Sequence, residues 1–165
     1  MRAIEVKKAN KENFKAYGQL LELPTATPTG ETPILSYWKQ QLPLDFNGGK
    51  GEIGYLVAKD HQGIYAELEA HLETAEILIP LNCAINIAVI TPLCTSPTDK
   101  PDTSKAEAFQ ISQGQPVLIN KGVWHWLPQP AGDEDAHIAV IFADNTSEKD
   151  MIVAELDENN SFQIK

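Results

Sequence analysis

The sequence predicts a mainly β protein, an antiparallel sandwich or barrel with one short helix near its start. Short β-rich segments follow one another at close spacing through most of the chain, with Gly, Pro, Asn and Asp between them, which is typical of that fold class. The 165 residues have the length of one domain and can bury a core without disulfides or metals. We therefore expect a single domain, residues 1–165.

The first predicted elements precede the β-rich part. Residues 3–6, AIEV, alternate like a short strand. Asn10 is a good helix N-cap, and the segment NKENFKAYGQLLEL that it opens predicts a helix. The apolar residues of that segment stand at helical spacing, with a glycine near its end: Phe14, Tyr17, Leu21 and Gly18. Residues 24–33, rich in Thr, Pro and Gly, predict an exposed loop.

Eleven later segments predict strands, because each is short, β-rich and bounded by turn residues. They are ILSYW, GEIGYLVAKD, GIYAELEAHL, AEILIPL, AINIAVI, KAEAFQIS, QPVLIN, VWHWLP, HIAVIF, MIVAEL and SFQIK. The longest irregular stretch among them is residues 91–105, where three prolines argue against a regular element.

The charge balance and the cysteines limit location and partners. The formal net charge is −10, a field that repels phosphate backbones, so we expect no nucleic-acid partner. Arg2 is the only arginine, so a site for an anionic substrate has no guanidinium unless Arg2 supplies it. Two cysteines, Cys83 and Cys94, and no apolar run long enough for a signal peptide or a membrane span predict free thiols, a cytoplasmic location and no membrane partner.

Two groups of polar residues stand on predicted strands. In the first, alternation along AELEAHL places Glu67, Glu69 and His71 on one face. The turn that follows brings Glu76 onto the next strand, where its carboxylate can lie beside Glu69 and His71. An ordinary strand whose polar face meets water has the same pattern, so that interpretation also stands.

The second group is centred on His125. An Asn-Lys-Gly sequence, residues 120–122, predicts a tight turn in which Gly122 takes a positive φ. The strand after it places His125 on the face opposite Trp124 and Trp126. A histidine among apolar neighbours is often a hydrogen-bonded core residue, so a core role and a pocket role both stay open at this point.

Together the two groups resemble the two metal-site motifs of the cupin superfamily, which in most members are His-x-His, three or four residues, Glu, and then Gly-x5-Pro-x-Gly-x2-His. The matching positions here are, in order, Glu69, His71, Glu76, Gly114, Asn120, Gly122 and His125. Glutamate therefore replaces the first histidine, and asparagine replaces the proline. The resemblance implies a cupin-type jelly-roll sandwich or barrel in which His71 and His125 face the same cavity.

The four donor residues in these motifs are suited to a divalent cation. Glu69, His71, Glu76 and His125 offer two imidazoles and two carboxylates, a mixed set that fits Mn, Fe, Ni or Zn, and the two negative charges balance the metal. A site without metal is the alternative, because the same four groups can form a polar pocket with strongly coupled pKa values.

Within the cupins, the chain resembles the bacterial ureidoglycolate lyases over nearly its whole length. The resemblance rests on FKAYG near the start, ELEAHLETAEILIPL and GQPVLINKGVWHWLP at the two core motifs, and the strand HIAVIF. It implies a small carboxylate substrate and cleavage of ureidoglycolate to glyoxylate and urea in purine (allantoin) catabolism. In that reaction a base removes the hydroxyl proton, the C–N bond breaks, and an acid protonates the leaving urea nitrogen.

The resemblance also suggests roles for individual residues. The catalytic candidates are Glu67, as the proton shuttle, with His71 and His125. The substrate-binding candidates are Lys59, Lys121 and Trp124, the two lysines as partners of the substrate carboxylate. Family members usually carry Asn and Arg in the loop matching residues 29–38 and an Asp-Arg pair after the last barrel strand, where this chain has TGETPILSYW and FADN. Either a lysine replaces arginine here or the substrate differs.

Three functions therefore stay open. The first is a ureidoglycolate lyase-like enzyme, the second a metal-dependent cupin that acts on another small hydroxy acid or sugar acid, and the third a non-catalytic cupin that binds a small molecule. Cupins of this kind commonly form homodimers by pairing sheets. Trp124 and Trp126 are candidates for that interface, or for packing within their own domain.

Overall fold

Two main β-sheets pack face to face, and a small third sheet covers the outer face of one of them. The computed structural model describes residues 1–39 and 41–165. Its strands are β1 (Arg2–Ile4), β2 (Val6–Lys8), β3 (Gly18–Leu20), β4 (Gly30–Thr32), β5 (Leu35–Tyr37), β6 (Gly51–Ala58), β7 (Ile64–Tyr65), β8 (Glu67–Ala70), β9 (Glu76–Pro80), β10 (Ile85–Ile90), β11 (Glu107–Ile111), β12 (Val117–Ile119), β13 (Trp124–His125), β14 (Gln129–Pro130), β15 (Ala136–Ala143), β16 (Ile152–Glu155) and β17 (Phe162–Ile164). The helices are α1 (Lys11–Phe14) and α2 (Thr146–Lys149), with a 3-10 turn at Thr103–Lys105.

The sheets are mainly antiparallel. The five-stranded sheet has the order β3-β12-β9-β15-β6, and the seven-stranded sheet has the order β16-β8-β13-β10-β11-β2, with β14 paired to β10. The three-stranded sheet has the order β1-β17-β7, and β4 and β5 form a separate hairpin. The predicted mainly β sandwich with a short helix near the start is confirmed.

The main core lies between the five-stranded and seven-stranded sheets. Alternation along each strand sends every second apolar side chain into this space. Its largest members come from α1 and from both sheets: Phe14, Leu78, Ile87, Phe109, Ile119 and Ile138. The functional site occupies the same layer, because its strands belong to these two sheets.

A second core lies on the other face of the seven-stranded sheet, beneath the three-stranded sheet. Trp124 is 1 % exposed there, and Tyr65 stacks on Phe162 with ring centroids 5.1 Å apart. Trp126 is partly buried against the same cluster. The alternation predicted for this strand is correct, but an interface role for an outward Trp124 is wrong, because the three-stranded sheet turns that face into interior.

The predicted N-terminal helix is shorter than its sequence pattern indicates. Asn10 caps α1 as expected and accepts hydrogen bonds from the backbone N–H groups of Glu12 and Asn13. The helix ends at Phe14, and Gly18 begins β3, which pairs with β12. A Cβ on Gly18 would overlap the Leu118 carbonyl, so the close approach of these two strands overrides the helical spacing.

Several smaller features differ from the sequence interpretation or complete it. The predicted loop at residues 24–33 contains β4, and the irregular stretch at residues 91–105 contains the 3-10 turn. Both cysteines are free thiols, as predicted, with Cys94 buried. Among the described residues, no helix has the length and apolar character needed to cross a membrane.

Candidate metal site

The four predicted donors are brought together by two connections that cross between the main sheets. Glu69 lies on β8 of the seven-stranded sheet, and Glu76 begins β9 of the five-stranded sheet, so the turn between them spans the sandwich. On the seven-stranded sheet, Glu69 is the register partner of His125 on β13. His71 lies in the connecting turn itself. The two sheets therefore present their polar groups to each other across the core.

The second connection contains the predicted Asn-Lys-Gly turn. Gly122 has φ +75°, and its N–H donates to the His71 carbonyl at 2.7 Å, while its carbonyl accepts from the Cys94 N–H at 2.6 Å. The turn joins β12 and β13, which belong to different sheets, so it is a sheet-to-sheet crossing and not a simple hairpin. It also ties the backbone of His71 to the loop that precedes His125.

The donor atoms lie within a few ångströms of one another. His125 Nε2 is 2.9 Å from Glu76 Oε2 and 3.8 Å from Glu69 Oε1, and His71 Nε2 is 3.6 Å from Glu76 Oε2. One donor atom from each of Glu69, His71 and His125 falls within a group less than 4.8 Å across. The imidazoles of His71 and His125 lie side by side, with ring centroids 5.3 Å apart, and do not point to opposite faces of the sheet.

Both imidazoles are oriented by their other ring nitrogen. Nδ1–H of His125 donates to the Val123 carbonyl at 2.9 Å, and Nδ1–H of His71 donates to the Asp150 carbonyl at 2.6 Å. Nε2 of each ring therefore points toward the carboxylates, where it can bind a cation when the ring is neutral and donates to Glu76 when the ring is protonated. Metal-binding histidines are characteristically held in this way. With two such imidazoles beside one buried carboxylate, Glu76, and one half-buried carboxylate, Glu69, the residues fit a divalent transition metal.

Burial and ion pairing shift the pKa values of the central pair in the metal-free protein. Burial disfavours the charged form of Glu76, but hydrogen bonds from His125 and His71 outweigh it and lower the pKa of Glu76 to about 2. Burial likewise opposes protonation of His71, yet its hydrogen bond to Glu76 and that carboxylate's charge raise the pKa of His71 to about 9. The centre thus contains a buried imidazolium–carboxylate pair when no cation replaces the proton.

The outer two donors have raised pKa values for different reasons. Burial raises the pKa of Glu69, and the positive charge of His125 only partly offsets it. For His125, burial opposes protonation, but the hydrogen bond to Glu76 raises the pKa above its ordinary value. Glu69 is therefore the more easily protonated of the two carboxylates.

In metal-free protein, the Glu76–His71 pair should contribute most to the stability of the fold between about pH 4.5 and 6.5. The folded pKa of Glu76, about 2, lies below its ordinary 4.5, so its contribution is lost as pH falls from 4.5 toward 2. The folded pKa of His71, about 9, lies above its ordinary 6.5, so its contribution is lost as pH rises from 6.5 through 9. Outside that range, the loss of each contribution lowers the free energy of unfolding by up to about 1.4 kcal/mol per pH unit, or Tm by about 3–6 °C.

The test is the Tm of chelator-treated protein across this pH range. Glu76→Gln should flatten both limbs of the profile, because both depend on that carboxylate. Unchanged limbs in Glu76→Gln would contradict the assignment of this pair.

The structure places two other predicted residues near this region. Glu67 is on the same strand face as Glu69, two residues along β8, and its side chain is exposed. Lys121 lies in the turn before His125, where its Nζ is 3.7 Å from Asp45 Oδ2. Glu67 is on the strand that carries Glu69 but lies nearer to solvent. Lys121 is in the turn that leads to His125 and is paired with Asp45.

Two predicted substrate-binding residues are not brought to the site. Lys59 follows the end of β6. Ile77, next to Glu76, pairs with Ile141 on β15, and Ile141 pairs in turn with Ile53 near the start of β6. Six residues of strand, about 20 Å, separate those levels. Trp124 points to the second core on the opposite face of the sheet. Strand length places the lysine too far along the sheet, and alternation excludes the tryptophan.

The sequence interpretation missed Asp150. Its carboxylate accepts hydrogen bonds from the backbone N–H groups of Leu72, Glu73 and Thr74, at 2.7, 2.8 and 3.1 Å. Its own carbonyl is the acceptor for His71 described above. No local motif indicates this role, because Asp150 follows α2 and is 79 residues from His71 along the chain.

A β-sandwich with two histidines and two glutamates clustered between its sheets has the arrangement that the resemblance to cupins implied. Three solved structures that the chain resembles have low similarity. For a Bacillus subtilis oxalate decarboxylase, identity is 18%, coverage 66% of this chain and 24% of that chain, and TM-score 0.44. For the Lactobacillus farciminis oxalate decarboxylase formate complex, the values are 16%, 66%, 27% and 0.44, and for the Campylobacter jejuni TDP-quinovose 3,4-ketoisomerase WlaRB they are 16%, 61%, 68% and 0.45. The chain thus spans about a quarter of the length of the oxalate decarboxylases it matches.

The family model described as ureidoglycolate lyase matches residues 1–164. The chain belongs to the ureidoglycolate lyase family, an enzyme family, as its core motifs indicated. No curated protein sequence matches it at a significant level.

Proposed function

We propose that this protein is a metal-dependent ureidoglycolate lyase, which cleaves ureidoglycolate to glyoxylate and urea. The observation that carries the proposal is the buried cluster of Glu69, His71, Glu76 and His125, with both Nε2 atoms directed at carboxylates, in a chain whose family membership extends over residues 1–164. These four residues would hold the divalent cation, for which Mn, Fe, Ni and Zn are the candidates.

The roles of the protein's own groups follow from their positions. The imidazoles are fixed through their Nδ1–H groups, so they do not reorient when substrate enters. Glu67, exposed on the same strand face as Glu69, would accept the hydroxyl proton of the substrate as the C–N bond breaks and then return it to the urea nitrogen. A bound cation supplies positive charge that makes the substrate hydroxyl more acidic and balances its carboxylate.

Recognition of the substrate carboxylate cannot depend on arginine from this chain. The guanidinium of Arg2 donates to the carbonyls of Thr103 and Ser104, which tie β1 to the 3-10 turn. We propose Lys121 as the cation for the substrate carboxylate, since it lies in the turn before His125 and is paired only loosely, at 3.7 Å, with Asp45. This engagement of Arg2 also favours the second candidate, a metal-dependent cupin for another small hydroxy acid.

The direct test is product formation from ureidoglycolate. Chelator-treated protein is reloaded separately with Mn, Fe, Ni or Zn, and glyoxylate and urea are measured against spontaneous decay of the substrate. The proposal expects release well above that background, abolished in His71→Ala. Metal binding without urea release would favour the second candidate, to be followed with a panel of small hydroxy acids. The absence of both metal binding and urea release would favour a non-catalytic binding protein.

We also propose that the protein is a homodimer joined through the outer face of the five-stranded sheet. β6 is an edge strand of that sheet, and its outward residues Ile53, Tyr55 and Val57 are 76 %, 66 % and 40 % exposed. An apolar edge of this length is usually protected from uncontrolled pairing, and a second copy covers such a face with the symmetric contact typical of dimers.

The dimer proposal is tested by light scattering. The expected molar mass is roughly twice the 18.2 kDa of the chain, and Tyr55→Glu should reduce it to that of the monomer. Ile34→Glu serves as the matched control, because Ile34 is 92 % exposed on the separate hairpin. A monomeric wild type, or a mass that both variants lower equally, would contradict this interface.

A cytoplasmic location and a place in purine catabolism complete the proposal. The free thiols of Cys83 and Cys94 suit a reducing compartment. The pathway follows from ureidoglycolate as the substrate, so it depends on the assay above.

A further inference from the structure

The corner between β15 and β16 is fastened to the turn that carries His71. This corner consists of residues 144–151 and includes α2. Thr146 Oγ1 donates to the Ala143 carbonyl at 2.6 Å, and the Asp150 N–H donates to the Thr146 carbonyl at 2.9 Å. On the other side, the Ala143 N–H donates to Thr74 Oγ1 at 3.3 Å. Two separate parts of the chain are thereby held against each other beside the metal site.

Asp150 joins these two parts with both its side chain and its backbone. The carboxylate accepts three consecutive backbone N–H groups, those of residues 72–74, and the carbonyl accepts Nδ1–H of His71. Asp150 is 9 % exposed, so water competes little for these bonds. Three N–H groups converging on two anionic oxygens form a strong, directional anchor.

We propose that Asp150 is a positioning residue of the metal site, which fixes the depth and ring orientation of His71. The carboxylate fixes the backbone immediately after His71, and the carbonyl fixes the ring by its far nitrogen. Nε2 is left as the only ring atom able to face Glu76. The inference rests on the proposed metal site for its effect on metal affinity, but the anchoring of the His71 ring is a property of the metal-free protein as well.

The positioning role differs from simple capping of a turn, and the chain provides a control for that difference. Asp157 also accepts consecutive backbone N–H groups, those of Asn159 and Asn160, at 2.9 Å each. It is exposed and makes no hydrogen bond to any of the four donor residues described here. Asp157→Ala removes an aspartate-capped turn without touching the site, so any general loss of stability appears in both variants.

The first measurement is metal binding by calorimetry with Mn²⁺, Ni²⁺ and Zn²⁺ added singly. Asp150→Ala should weaken binding by about 10-fold, the lower end of the range typical of partners that orient a metal-binding histidine, because the carboxylate anchor is lost while the carbonyl that accepts from His71 remains. Asp150→Asn should give an intermediate loss, because it keeps one acceptor oxygen and turns an NH2 group toward the backbone N–H groups. Asp157→Ala should bind within about twofold of wild type. Unchanged affinity in Asp150→Ala, with only its Tm lowered, would overturn the proposal.

The second measurement needs no metal. In nitrogen-15 NMR spectra of the chelated protein, His71 should show a slowly exchanging Nδ1–H that is retained in Asp157→Ala. This proton should exchange faster in Asp150→Ala, because the acceptor carbonyl remains but the carboxylate no longer holds the backbone after His71 against it. The same His71 signal in all three proteins would overturn the proposal. If wild type binds no metal but shows this pattern, Asp150 still positions His71, and the metal part of the proposed function is what fails. If Asp150→Ala does not fold, Asp150→Asn decides both measurements.

Discussion

Metal binding and ureidoglycolate turnover should both fall about 100-fold or more when His125 is replaced by alanine. Partners that merely orient a ligand are already worth 10–100-fold, and His125 contributes a donor atom itself. The change also removes the closer of the two imidazoles that contact Glu76, at 2.9 Å. A buried carboxylate that loses its main partner costs about 3–5 kcal/mol, so the metal-free variant should also melt at lower temperature.

Metal bound per folded molecule is therefore the decisive measurement for His125→Ala, together with turnover per folded molecule. His137→Ala is the matched control, because His137 bonds to the Tyr55 hydroxyl through Nδ1, at 2.7 Å, on the far side of the five-stranded sheet. It should leave metal content and turnover unchanged. A destabilised His125→Ala that retains full metal content would show that His125 serves the core and not the site.

Gly122→Ala should lower the free energy of unfolding by about 3 kcal/mol or more, which corresponds to about 6–12 °C in Tm. A non-glycine residue at φ +75° costs about 1–2 kcal/mol. In addition, its Cβ would overlap the Cys94 carbonyl oxygen, which is backbone and cannot rotate away. Because the Gly122 N–H also bonds to the His71 carbonyl, metal affinity should fall as well.

Comparison with Gly114→Ala separates the packing part of this effect from the backbone strain. Gly114 has nearly the same φ, +72°, but open space where a Cβ would lie. Gly114→Ala should therefore lower the free energy of unfolding by only about 1–2 kcal/mol and leave metal affinity unchanged. Equal losses of stability in the two variants would mean that the Cys94 contact is relieved by a small backbone shift.

Much of the site could be predicted because strand geometry has a period of two. Alternation separates His125 from Trp124, whichever sheets the strands join, and it indicated that Glu69 and His71 share a face although His71 lies just past the end of β8. The glycine of the second motif then fixes where the chain turns before His125. These are local rules, and the structure follows them at each of these positions.

The remaining features depend on contacts between distant segments, which local patterns do not contain. Asp150 reaches the His71 turn only after β15 and β16 have taken their places in different sheets. The interior position of Trp124 depends on a third sheet made from both ends of the chain. The early end of α1 depends on the close approach of Gly18 to Leu118. In each case tertiary contacts outweigh local propensity.

The pairing of β1 with β17 has a consequence for how the protein acquires its structure during synthesis. Residues 2–4 lie parallel to residues 162–164, so β1 cannot pair with β17 until residues 162–164 have been synthesised. Until then the outer face of the seven-stranded sheet, with Trp124, is without its cover. Pairing over such a separation is slow to form, and the uncovered apolar surface is prone to association in the meantime. The partly synthesised protein is thus exposed to association until residues 162–164 are available to pair with β1.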